Sequence, residues 1–169
     1  MLKKILALSA ALLGLNTLSP AQQKEEAKVS YREIGSVLPP MRVISRDSVE
    51  YPAASFKDDH NFFLVLFNPT CGHCIHMGVA IGEHESDFKD NKVLFLAGGQ
   101  MLPYLKSFFE QTKLGEHPAI KVGIDSAQTV DRLFSYKMLP QINIYDKHRV
   151  LIKSFYGDTP LDSLRKYAH

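Results

Sequence analysis

Cys71 and Cys74 are the only two cysteines in the 169-residue chain, and they stand three apart as Cys71-Gly72-His73-Cys74. Two cysteines scattered at random over such a length would take that spacing in roughly one case in 86, so the arrangement carries information. A CxxC pair can close a disulfide, run thiol–disulfide exchange or give two thiolates to a metal. As a purely structural bridge it is a weak staple, worth about 2 kcal/mol of loop entropy against about 3 for a fifteen-residue loop. Exchange is the stronger reading. The string Cys71-x-His73-Cys74-x-His76-Met77 also holds ligand types that suit copper or zinc. The main non-enzymatic rival is therefore an exported metal chaperone or sensor using Cys71, Cys74 and His73 or His76. A tightly held metal would occupy the sulfurs that exchange requires, and no second ligand cluster is evident, so no metal site is assigned. Covalent haem attachment needs His directly after the second cysteine, where Ile75 stands. The remaining histidines, His60, His84, His117, His148 and His169, are scattered and read as solvated or structural.

The pair has to be held by its neighbours. Residues 62–67 form a continuous apolar run bounded by Asn61 and Asn68-Pro69, which predicts a strand buried on both faces. Residues 74–89 have helical composition, with Gly78 and Gly82 marking close approach to the sheet or a bend. A strand running straight into Cys71 places that sulfur at a helix N-terminus, where unpaired N–H groups and the macrodipole favour an anion. Cys71 is thus the expected nucleophile, and Cys74, one helical turn on, the resolving thiol. Beyond them the pattern predicts a strand over 93–97, a helix over 101–113, a strand over 120–124 and a short helix over 127–136. A hairpin over 141–145 and 150–155, turning at 146–149, and a final helix over 161–167 behind Pro160 complete the order. Residues 37–44 and 49–51 predict a small N-terminal hairpin packed on the main domain, with prolines keeping its first arm out of a sheet centre. The fold class expected is α/β, a central mixed sheet with helices on both faces.

Lys3 and Lys4, an apolar run over residues 5–15 and Ser19-Pro20-Ala21 make a secretory signal with cleavage expected after Ala21. The run is well short of the roughly 20 residues that cross a bilayer, so the mature chain is not expected to span a membrane. No Cys follows the run to carry a lipid anchor. Residues 22–30 read as a polar tether and residues 31–169 as one domain. Losing Lys3 and Lys4 lowers the formal charge from +2 to 0, which leaves no basic surface for nucleic acid. Both cysteines then lie in a compartment that can be oxidising.

The buried strand, the CxxC and the later Met138-Leu139-Pro140-Gln141-Ile142-Asn143-Ile144-Tyr145-Asp146 segment, ending in Phe155-Tyr156-Gly157, together resemble the thioredoxin superfamily, in particular its extracytoplasmic TlpA-like branch. The resemblance runs from about Ile34 to the C-terminus, with Gly35-Ser36-Val37-Leu38-Pro39-Pro40 similar to that branch's leading hairpin. It implies a thioredoxin-like fold, a cis peptide at Pro140 against the CxxC, and Leu139 presenting backbone to an extended substrate. The Cys-Gly-His-Cys quartet is shared with protein disulfide isomerases, which gives Gly72 and His73 a tuning role: a cationic His73 would stabilise the Cys71 thiolate. The resemblance further implies protein disulfide or dithiol substrates, a periplasmic location and a membrane electron donor or acceptor. No cofactor is expected beyond a redox-active Cys71–Cys74 disulfide. Two features depart from the pattern: Thr70 replaces the tryptophan common before the first cysteine, and Val65 occupies the position of the buried acid of thioredoxins. Glu83 and Glu85 lie too far along the helix to replace that acid. Pro69-Thr70-Cys71 lacks the wider spacing of peroxiredoxins, and the presence of both cysteines argues against a thioredoxin-like interaction module without turnover.

Overall fold

The structure, a computed structural model, describes residues 31–134 and 138–168. The expected signal and tether, and the end of the helix expected over 127–136, lie outside the described residues. The regular elements in chain order are β1 (Val43–Ile44), β2 (Phe62–Leu66), α1 (Gly72–Glu83), β3 (Lys92–Gly98), α2 (Leu105–Thr112), β4 (Ile120–Asp125), α3 (Thr129–Leu133), β5 (Gln141–Tyr145), β6 (Leu151–Tyr156) and α4 (Leu161–Arg165).

Every residue of β2 is buried, so this strand needs neighbours on both sides and cover on both faces. It receives β3 in parallel on one side and β5 antiparallel on the other. The sheet is six-stranded in the order β1-β4-β3-β2-β5-β6, with β3 and β4 parallel and both outer strands antiparallel to their neighbours. Alternation along β2 divides the core. Phe63 and Val65, with Phe67 beyond, face a cluster built from Cys74, Met77 and Ile81 of α1, Leu105 and Phe108 of α2, and Leu164 of α4. Phe62, Leu64 and Leu66 face the other way, onto Val130 of α3, Phe134 and Phe56. Helices therefore cover both faces.

The N-terminal hairpin is tight, with Tyr51 N–H donating to Val43 O at 2.9 Å and Ser45 N–H to Val49 O at 2.8 Å. It is not a separate unit packed on the domain, because Val43–Ile44 is the edge strand beside β4. Gly123 admits it: a Cβ there would lie 2.5 Å from Val43 Cγ1 and 2.8 Å from Ile44 O. The preceding residues bond to the opposite edge, where Gly35 N–H donates to Leu151 O and Leu38 N–H to Arg149 O, each at 2.8 Å.

Two further expectations need correction. The helix expected over 74–89 ends at Glu83 and continues as a 3₁₀ turn, Glu85–Phe88. Its glycines mark approach to α2 and the turn after it, not to the sheet: a Cβ on Gly78 would lie 2.8 Å from Thr112 Cγ2, and one on Gly82 3.2 Å from Leu114 Cδ2. The helix expected over 101–113 begins as a 3₁₀ segment, Gly99–Tyr104, that contains Pro103, and becomes α-helical only at Leu105. Proline lacks the N–H that an α-helix interior needs.

Candidate functional site

The strand that ends at Leu66 is followed by a short turn that delivers the cysteines. The Asn68 carboxamide oxygen accepts from both the N–H and the hydroxyl of Thr70 at 2.9 Å, and Asn68 O accepts from Cys71 N–H at 3.1 Å. Cys71 has extended backbone (φ −86°, ψ 122°) and occupies the N-cap of α1, its carbonyl accepting the first helical bond from Ile75 N–H at 3.0 Å. No side chain caps this helix end, and Cys71 is the residue that stands at it. Gly72 is open to solvent, and a Cβ there would meet nothing within 4 Å.

The two sulfurs differ sharply in environment. Cys71 is half-buried, whereas Cys74 is fully buried in the core face of α1. Burial pushes the Cys74 thiol up to about 12; a hydrogen bond with the Asn68 backbone works against the shift, and the contact with Cys71 adds to it. The outer sulfur can meet a substrate. The inner one lies beside it on the core side, out of reach of a protein substrate.

His73 is exposed and turned onto a partner that the sequence pattern does not reveal: its Nδ1 lies 2.7 Å from Asp158 Oδ1. Asp158 follows β6, 85 residues along the chain. His76 is exposed one turn further along α1, and His73, His76, Met77, Asp158 and Pro160 line a shallow depression of about 310 Å³. Among the described residues no three His, Cys, Asp or Glu side chains converge into a set that could hold a metal ion.

The Leu139–Pro140 peptide is cis. Pro140 is buried, and Leu139 is partly buried against both core clusters. Pro140 O accepts from Gly157 N–H at 2.8 Å, and the exposed Met138 lies against Gly157, whose φ of +68° suits glycine. Segments 138–140 and 157–158 are therefore tied together, and through Asp158 to the Cys71-Gly72-His73-Cys74 turn.

Val65 is fully buried among apolar side chains, so no acid lies there. Glu85 is engaged elsewhere, its carboxylate meeting His117 Nδ1 at 3.0 Å and the Ala119 N–H at 3.2 Å. Glu83 is exposed at the far end of α1. Among the described residues, no helix is long and apolar enough to cross a membrane.

No family model matches the chain, and no curated protein matches it. Solved structures do. The thioredoxin domain of a thiol-disulfide oxidoreductase from Bacteroides vulgatus superposes with a TM-score of 0.65 at 15% identity, over 81% of this chain and 99% of that one. A secreted Mycobacterium tuberculosis disulfide oxidoreductase homologous to E. coli DsbE gives 0.61 at 11% identity, over 75% and 92%. The MTB DsbF protein, in mixed oxidised and reduced forms, gives 0.62 at 16% identity, over 75% and 91%. At these identities the likeness concerns the fold: the chain has a thioredoxin-like fold.

Proposed function

We propose that the chain is an exported thiol–disulfide oxidoreductase that exchanges disulfides with protein substrates, Cys71 acting as nucleophile and Cys74 as resolving thiol. The observation that carries the reading is the asymmetry of the pair. An accessible sulfur caps α1, and a sealed sulfur touches it from the core side. In the reducing direction the Cys71 thiolate bonds to a substrate sulfur and the substrate S–S bond breaks. Cys74 then loses its proton and bonds to Cys71 Sγ, which releases the second substrate sulfur. Two electrons and two protons pass to the substrate, and a Cys71–Cys74 disulfide remains.

The surroundings support particular roles. Leu139 and Pro140 precede β5 on the segment tied to the CxxC turn, a suitable place to pair an extended substrate by strand addition. Gly72 leaves the approach to Cys71 open, and His73 tunes the thiolate. The named neighbours include a secreted disulfide oxidoreductase, which fits the signal-like pattern of residues 1–21 and a periplasmic site of action. Net reduction or isomerisation is favoured over oxidation by the resemblance of the sequence to the TlpA-like branch, which covers more residues than the two between the cysteines. A reductase of this kind needs a membrane donor to regenerate the dithiol.

The test is a trap. Cys74→Ser protein should accumulate mixed disulfides with substrate proteins, seen as reductant-sensitive adducts, because Cys71 can attack and nothing can resolve. Adding Cys71→Ser should abolish them. A Cys74→Ser protein that forms no adduct with any disulfide, glutathione disulfide included, contradicts the assignment and turns attention to copper or zinc binding by the same residues.

A further inference from the structure

The exchange reaction moves protons as well as electrons, and the acid that thioredoxins bury beneath the CxxC is replaced here by Val65. Cys74 is held well above the ordinary thiol range, so its deprotonation needs an acceptor. The acid–base groups lining the depression beside the CxxC turn are His73, His76 and Asp158. Of these, His73 and Asp158 are in contact, Nδ1 to Oδ1 at 2.7 Å.

The contact has a built support. Asp158 sits in a loop anchored at its start by Gly157 N–H to Pro140 O at 2.8 Å, with Thr159 Oγ1 donating to Gly157 O at 3.3 Å. Pro160 ends the loop as the N-cap residue of α4. A carboxylate that accepts from Nδ1–H fixes both the tautomer and the orientation of an imidazole, and leaves Nε2 as the nitrogen that exchanges protons.

We propose that Asp158 is a positioning residue for the exchange reaction, holding His73 by Nδ1–H so that Nε2 relays protons to and from the exchanging sulfurs. The proposal rests on the exchange reading above. In the first half-reaction Cys71 Sγ, as thiolate, bonds to one substrate sulfur, the substrate S–S bond breaks, and the departing sulfur takes the proton of Nε2–H. In the second, the Cys74 proton passes through water to Nε2 and Cys74 Sγ bonds to Cys71 Sγ. The Cys71–substrate bond breaks, and the second substrate sulfur takes that proton. Asp158 keeps Nδ1–H throughout. The dithiol supplies both electrons, His73 and Cys74 supply the two protons, and no other reactant is required.

The experiment compares wild-type, Asp158→Asn, His73→Gln and the double variant for the rate of mixed-disulfide formation with glutathione disulfide, from about pH 5 to 9, across the range in which imidazole titrates. The titratable groups beside His73 are Asp158 on the opposing loop, in contact with it, and His76 in the same depression; Cys71 and Cys74 are its neighbours in the chain. Because the pair is exposed, Asp158→Asn should slow the wild-type reaction by about threefold to fivefold near neutral pH and displace its pH profile. It should have no effect once His73 is Gln. An unchanged rate, a faster one, or the same fold-change in both backgrounds overturns the proposal. A faster rate would show that the carboxylate acts only by repelling the Cys71 thiolate. Failure of the parent reading is distinguishable, since wild-type protein would then not react with glutathione disulfide. Asp158 is exposed, so the melting temperature should stay within a few degrees and separate a positioning role from a folding one.

Discussion

In reduced protein at pH 7, iodoacetamide should modify Cys71 and leave Cys74 unmodified over the same interval. With its thiol pushed up to about 12, Cys74 is thiolate in only on the order of one molecule in 10⁵ at that pH. An ordinary thiol near 8.5 is about 3% thiolate. The more basic sulfur is intrinsically more nucleophilic, and a Brønsted coefficient near 0.45 returns a factor of about 40. Cys74 is then about a hundredfold slower than an ordinary exposed thiol before its full burial is counted. As pH rises, its rate should climb about tenfold per unit until it nears 12. Mass spectrometry of digested protein after graded alkylation reads both sites. Comparable modification of the two cysteines at pH 7 would contradict the division of roles.

Phe108→Ala should cost about 3–5 kcal/mol, a large part of the 5–15 kcal/mol that holds a domain of this size together. Phe108 is fully buried in α2, its ring 4.5 Å from Phe67 and 6.1 Å from Phe95, measured between centroids. Phe67 and Phe95 themselves meet edge-on at 5.6 Å. Phe108 Cζ also lies 3.2 Å from where a Gly78 Cβ would stand, so the ring fills the space that glycine leaves between α1 and α2. Truncation opens a cavity under the helix that carries Cys74. Thermal unfolding should show a fall in Tm of about 10 °C or more. A change of less than about 2 °C would mean that the aromatic cluster does not support α1 as described.

Much of this arrangement is legible in the residues. The uninterrupted apolar run of β2, the cysteines directly after it and the apolar segment of β3 define the sheet centre, because burial on both faces leaves no polar alternation to confuse. The sheet edge is harder. Val43–Ile44 is two residues long, too short for any period, and its pairing with β4 shows only in the fold, where Gly123 leaves room for it. Similarly, Gly78 and Gly82 announce close packing, but their spacing does not say whether the partner is sheet or helix.

At the site, Cys71 and Cys74 are marked by type and spacing, and Leu139 and Pro140 by resemblance rather than by any periodicity. The missing residue was Asp158. A lone surface aspartate 85 residues from its partner has no pattern, and its place beside His73 depends on how the β5–β6 hairpin returns past β2. The one available signal was Gly157 directly before it, a residue that permits the positive φ at which the chain turns back toward α1.

The reduction potential of the Cys71–Cys74 couple, titrated against glutathione in protein lacking residues 1–21, tests the central claim most directly. A reversible two-electron couple between about −270 mV, the thioredoxin value, and about −180 mV, that of protein disulfide isomerase, is the predicted result. A couple near about −120 mV would contradict the assignment as reductase or isomerase, and the absence of any reversible couple would contradict disulfide exchange itself.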